Sequence, residues 1–204
     1  MWSFILKGGY LMYPLLFSSV LSLAVIIERV LSLSRKTVYR VPFIEKIKEL
    51  VTRGKILEAI EFCENYNSPL SRVVKTGLIH HTRSREVIKE AMETQITEEI
   101  PQLEKFLGVL ATLAAVSPLL GLLGTVSGMV RVFATIESAG GQVDPGTLAG
   151  GIWEALLTTV FGLLIAIPSL VAYNYFTARV RSLIQEMELA SKNVVEIIEN
   201  LEES

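Results

Sequence analysis

Three stretches of the chain carry no charged residue: Gly8–Ile27, Phe106–Val130 and Ala155–Ala178, of 20, 25 and 24 residues. A helix rises about 1.5 Å per residue and a hydrocarbon core is about 30 Å thick, so each stretch can cross a bilayer. Between the first two, the pattern becomes amphipathic. Phe43–Arg53 has helical spacing and stops at Gly54. Lys55–Tyr66 resumes it with Leu57, Ile60 and Phe62, and breaks at Asn67-Ser68-Pro69. From Arg85 onward, Val87, Ile88, Ala91, Met92, Ile96 and Ile100 continue without a stop signal into the second span, with Pro101 as the one kink site. This predicts a second span continuous with a long cytoplasmic helix. After the third stretch, Val180, Leu183, Ile184, Met187, Val194, Ile197, Ile198 and Leu201 form one apolar stripe, which predicts that the third helix also continues.

The expected fold is therefore an all-α membrane protein with three transmembrane helices, the second and third extending into the cytoplasm. Residues 1–31 hold the first span, 32–105 a cytoplasmic helical region, 106–136 the second span and 137–146 an outer loop. Residues 147–178 hold the third span, and 179–204 a cytoplasmic helix. Lys and Arg set the orientation. Only Lys7 precedes the first run, whereas Arg29, Arg35, Lys36 and Arg40 follow it, and Arg179 and Arg181 follow the third. Residues 137–146 contain neither Lys nor Arg. The N-terminus is expected outside and the C-terminus inside, with Arg131, at the outer end of the second span, as a mild exception. No small-x-small site closes the first run, so a retained helix is expected in place of a cleaved signal.

Composition agrees. The chain is 50% hydrophobic and 20% charged, with a net charge of -2. Its mean hydropathy is +0.47. The absence of a basic excess argues against a nucleic-acid partner. Cys63 is the single cysteine, and His80 and His81 are adjacent, so they do not share a helix face. No metal site, cofactor or soluble-enzyme motif is expected: Gly121–Thr125 lacks the ending of a phosphate loop, and no nucleophile–base set is visible.

Inside the spans, small and polar residues fall on faces. The second span places Ser117, Gly121, Gly124 and Gly128 together, with Thr125 beside them. The third places Glu154, Thr158, Gly162, Ser169 and Ala172 together, with Thr159 one position off. Lipid is as apolar as leucine, so membrane helices associate through such residues, and these two faces predict close packing or a shared interior. They also predict a homo-oligomer, since one chain cannot supply every partner. Asp144-Pro145 has the form of a helix start, about 13 Å before Glu154. A carboxylate in a membrane helix costs on the order of 2.5–3.5 kcal/mol, so Glu154 is the default candidate for proton or ion relay. Static kinks are the simpler reading of Pro118 and Pro168.

The motifs Ser117-Pro-Leu-Leu-Gly-Leu-Leu-Gly-Thr-Val-Ser-Gly-Met129, Ile152-Trp-Glu-Ala-Leu-Leu-Thr-Thr-Val-Phe-Gly162, Ala166-Ile-Pro-Ser-Leu170 and Tyr173-Asn-Tyr-Phe176 resemble the ExbB/TolQ family, related to the MotA stator subunits. The resemblance covers essentially the whole chain. It implies a homopentameric ring in the inner membrane, with the outer loop in the periplasm. It also implies a lumen, lined by the second and third helices, that holds a dimeric ExbD- or TolR-like single-span partner with a membrane aspartate. It implies a molecular motor in which proton motive force drives work on that partner, and through a TonB-like protein energises outer-membrane transport; a TolQ-like role in the Tol–Pal system is the alternative. Glu154 matches the family's lumen glutamate, and Thr125 and Thr159 its lumen threonines. A reading of another class is a passive membrane scaffold in which Glu154 merely pairs with a partner.

Overall fold

The computed structural model describes residues 9–35, 40–140 and 144–202. Lys7, Lys36 and residues 141–143 of the expected outer loop lie outside them. The described elements are all helices: α1 (Met12–Arg35), α2 (Arg40–Thr52), α3 (Ile56–Glu64), α4 (Pro69–Ile79), α5 (Arg85–Leu103), α6 (Leu107–Ser138) and α7 (Pro145–Glu202). Met12–Leu33, Leu107–Ser138 and Pro145–Asn200 are each long and apolar enough to cross a membrane. By compactness the chain divides into two units, Met1–Glu28 with Phe106–Tyr175, and Arg29–Lys105 with Phe176–Ser204.

The second of these units is built like a soluble helical domain. In sequence order α2 packs on α3, α3 on α4, and α4 on α5. Phe43, Phe62 and Tyr66 form a ring cluster with centroids 5.2–5.5 Å apart. Gly54 ends the α2 region with a φ of +71°, a conformation that glycine adopts at no steric cost. Ser68 caps α4 by accepting from the Ser71 N–H at 3.1 Å, and Pro69 opens the helix where a missing N–H costs nothing. The stripe of α7 is covered here: Val180, Leu183, Met187, Val194 and Ile198 are buried. Gly77 permits a close approach, since a Cβ there would fall 2.6 Å from Met92 Sδ and 3.2 Å from Val194 Cγ1.

Among the described residues, two charged residues of this unit are buried, Glu99 and Arg29, and both are held. Arg72 grips Glu99 through Nε at 2.5 Å and Nη2 at 2.6 Å, and the Glu99 side chain is 5% exposed. That hydrogen bond raises the Arg72 pKa above its ordinary value. Arg29, which the charge count places on the flank of the first span, is buried and donates to the Leu103 carbonyl at 3.3 Å. It thus sits on the last carbonyls of α5, where a cation is favoured.

The expected continuity of the second helix does not hold. α5 ends at Leu103, and α6 starts afresh at Leu107 after Phe106, whose φ is 63°. A left-handed residue cannot continue a right-handed helix. No glycine or asparagine marks the break, and the reversal falls on an aromatic residue. The apolar stripe of α5, buried at Ile88, Met92, Ile96 and Leu103, belongs to the unit just described, whereas the uncharged run belongs to α6. α7, in contrast, runs uninterrupted through Pro168.

Candidate functional site

In the unit formed by residues 9–28 and 106–175, glycines set the packing. Ser117, Gly121, Gly124 and Gly128 of α6 are all buried. A Cβ on Gly121 would fall 2.9 Å from the Thr159 Cα and 3.0 Å from the Thr158 carbonyl oxygen. One on Gly162 would fall 2.5 Å from the Ser117 carbonyl oxygen, and one on Gly128 would meet the Ala155 Cβ at 2.9 Å. Gly124 lies against the Thr158 side chain. The two small-residue faces therefore meet backbone to backbone, the geometry that membrane helices use in the absence of a hydrophobic drive.

Hydroxyls complete the contact. Thr159 donates to the Gly121 carbonyl at 3.1 Å, and Thr158, which donates to the Ala155 carbonyl of its own helix at 2.7 Å, shares its proton with the Gly121 carbonyl at 3.3 Å. Ser169 is hydrogen-bonded to Ser22 of α1 at 2.7 Å. The Ser117 hydroxyl is buried and, among the described residues, has no hydrogen-bond partner. Thr125 is half-buried and donates to the Leu122 carbonyl of its own helix at 2.7 Å. Among the described residues no hydrogen bond joins Thr125 to Thr159 or Glu154.

Glu154 is the tenth residue of α7. Asp144 caps that helix by accepting from the Thr147 N–H at 3.1 Å, and Pro145 is its first residue. Thr158 follows Glu154 by one turn, so the carboxylate sits at the end of the hydroxyl-lined contact nearer the start of α7. It is ion-paired with Arg131 of α6. The Arg131 guanidinium lies 5.8 Å from the Tyr10 ring centroid, and the Tyr10 hydroxyl is hydrogen-bonded to Ser127 at 2.9 Å. A cavity of about 110 Å³ adjoins the pair, lined in part by Gly128, Thr135, Thr147 and Gly151. A charge count treats Arg131 only as a flank residue. The signal that finds its role is one cation and one anion, each alone in an otherwise apolar run.

The apolar faces of these helices remain uncovered: Leu119, Leu122, Val126 and Val130 of α6, and Leu156, Val160, Leu164 and Ile167 of α7, are exposed. Among the described residues no group of three or more His, Cys, Asp or Glu could hold a metal.

Three helices long and apolar enough to cross a membrane, glycine-to-backbone packing and one half-buried carboxylate mark a multi-span membrane protein. The chain belongs to the MotA/TolQ/ExbB proton channel family, which residues 65–189 match. It is 31% identical over 187 residues to an ExbB homolog of Methanothermobacter thermautotrophicus, covering 91% of this chain and 66% of that protein. It is 43% identical over 102 residues to the Tol-Pal system protein TolQ of Pseudomonas aeruginosa, covering 48% of this chain and 42% of that one. The solved structure of C. jejuni MotAB has a similar fold, with a TM-score of 0.67 at 17% identity, over 92% of this chain and 73% of that one.

Proposed function

We propose that the chain is the ring-forming subunit of a proton-driven motor of the ExbB type. In this reading it lies in the inner membrane, N-terminus in the periplasm and C-terminus in the cytoplasm. Five copies surround the membrane helices of an ExbD- or TolR-like partner, and proton flow drives work that a TonB-like protein carries to outer-membrane transporters. Residues 106–136 and 147–178 are the lumen-forming spans, and 32–105 and 179–204 are cytoplasmic. The uncovered apolar faces of α6 and α7 support assembly with lipid and further copies, and the similarity to ExbB homologs supports the ExbB branch. A TolQ-like role has the support of the relative from P. aeruginosa.

The observation that carries the proposal is Glu154, the one carboxylate of α7 between residues 145 and 178, four residues before Thr158 and five before Thr159, whose hydroxyls reach the Gly121 carbonyl. A titratable group there can take up and release a proton, while hydroxyls can order the water that delivers it. One elementary charge crossing about 100 mV yields about 2.3 kcal/mol, enough to bias a conformational step.

The test is Glu154→Gln in cells lacking their own ExbB, scored by TonB-dependent uptake once native mass spectrometry shows that the variant ring assembles. Loss of uptake is expected, because an amide keeps the shape but cannot titrate. Glu154→Asp should keep part of the activity, and Thr159→Val should impair it less than Glu154→Gln. The ion pair with Arg131 is what favours the scaffold reading, in which Glu154 only holds helices together. A fully active, assembled Glu154→Gln ring would put that reading first. Rescue of cells lacking TolQ, with none of cells lacking ExbB, would move the protein to the Tol–Pal branch.

A further inference from the structure

The Arg131–Glu154 pair is lopsided. The Glu154 side chain is 23% exposed, whereas that of Arg131 is 52% exposed. Glu154 engages a single guanidinium nitrogen, Nη2. A guanidinium carries five N–H donors in a fixed fork. Among the described residues, no other carboxylate occupies the rest of that fork. The Tyr10 ring, hydrogen-bonded to Ser127, lies within cation–π reach of the guanidinium. The backbone of Gly9 covers the carboxylate: a Cβ there would collide with it and fall 3.3 Å from Arg131 Nη2. Glu154 is therefore the less exposed of the two, Arg131 presents open donors, and both line a cavity of about 110 Å³, roomy enough for water, which needs about 15 Å³.

We propose that Arg131 gates the proton step: it pairs with Glu154 at rest and releases it when a carboxylate from a partner membrane helix binds the open guanidinium fork. This rests on the reading of Glu154 as the proton carrier. Arg131 keeps its proton throughout, so it acts as a positioning residue. When a second carboxylate takes the fork in bidentate geometry, Glu154 loses its cation and accepts one proton from the outer aqueous side, becoming neutral. When that proton leaves inward, the restored carboxylate pairs with Arg131 again and displaces the partner's. One proton crosses per exchange, and the number of charges at the site balances at each stage. Between exchanges, the fixed positive charge raises the barrier to protons and other cations at the outer mouth.

Charge and fork make separable contributions, so two variants test them. The ring and the single-span protein that co-purifies with it are reconstituted into vesicles holding a pH-sensitive dye, and proton entry is followed under an imposed potential. Proton-driven work is scored in cells with the same variants. Arg131→Gln removes both features: uncoupled proton entry should rise at least about fivefold and work should fall at least about tenfold. Arg131→Lys keeps a point charge without the fork: entry should stay within about twofold of wild type, while work falls about three- to tenfold. Assembled Arg131→Gln rings with wild-type entry and work would overturn the proposal. So would parallel loss of entry and work in both variants, the mark of a residue that only holds Glu154 in place. Should Arg131→Gln rings fail to assemble, Arg131→Lys decides alone, and wild-type work in it overturns the exchange. Glu154→Gln is run beside them. Its full activity would sink the underlying reading, whereas its inactivity with normal Arg131 variants would sink only the gate.

Discussion

Two of the arginine–glutamate pairs, Arg72–Glu99 and Arg131–Glu154, lie in different units and are made differently. Arg72–Glu99 is bidentate, at 2.5 and 2.6 Å, with Glu99 5% exposed and further hydrogen-bonded by Gln95 at 3.3 Å. Arg131–Glu154 uses one nitrogen and leaves the guanidinium half-exposed. The packing around them differs in the same sense. Large side chains such as Ile47, Leu78, Met92 and Met187 fill the core of the unit that holds the first. Glycine backbones and threonine hydroxyls make the contact beside the second. A fully satisfied pair in a filled core has one arrangement. A half-open pair between helices that touch through glycines has room for a second. The first is a clamp, and the second is suited to exchange.

Substitutions that break the comparison rank by size. Glu99→Ala removes the carboxylate from Arg72, whose side chain is 35% exposed and keeps a bond to Asn67 Oδ1. A broken buried pair costs about 3–5 kcal/mol, so with that exposure discounted the loss should be about 2–3 kcal/mol, read from helix signal against denaturant. Gly162→Ala drives a methyl into the Ser117 carbonyl and should cost about 1–3 kcal/mol, with weaker α6–α7 packing seen as faster proteolysis of detergent-solubilised protein.

The filled core makes a third prediction. Burial pushes the Cys63 thiol up from its ordinary 9.0 to about 12. Below pH 9 the thiol is protonated in both folded and unfolded chains. Between about 9 and 12 only the unfolded chain loses the proton, so stability should fall with rising pH, by roughly 1 kcal/mol at pH 10. Cys63→Ala should flatten that slope, and native Cys63 should resist maleimide at pH 8. Smallest is the effect of Arg131→Gln on folding: a pair this exposed is worth less than about 1 kcal/mol, so its unfolding midpoint should scarcely move while transport changes.

Much of this was legible in the residues. Long uncharged runs announce spans because no soluble core needs twenty apolar residues in a row, and Asp144-Pro145 marks the start of α7 through capping chemistry that acts locally. The interruption at Phe106 left no such mark, since nothing in Glu104-Lys105-Phe106 favours a left-handed residue. Ser68-Pro69 opens helix α4, but the same residues also punctuate turns, so the break at Asn67-Ser68-Pro69 does not by itself announce a helix. The burial of Arg29 and the pairing of Arg131 with Glu154 depend on which helices meet, and periodicity orients a helix without naming its neighbour. The spacing of Gly121, Gly124 and Gly128 places them on one face; that Thr158, Thr159 and Gly162 cover it is a matter of packing.

In the proposed function Glu154 serves proton transfer, whereas Glu99 serves stability. The most direct test measures unfolding and proton-driven uptake side by side in assembled rings of Glu154→Gln and Glu99→Ala. The account predicts that Glu154→Gln unfolds within about 1 kcal/mol of wild type yet transports nothing, because its amide still accepts from Arg131 but cannot titrate. Glu99→Ala should lose about 2–3 kcal/mol and yet transport in proportion to the ring that survives. Normal uptake by Glu154→Gln rings, or a Glu154→Gln ring as unstable as Glu99→Ala, would contradict it.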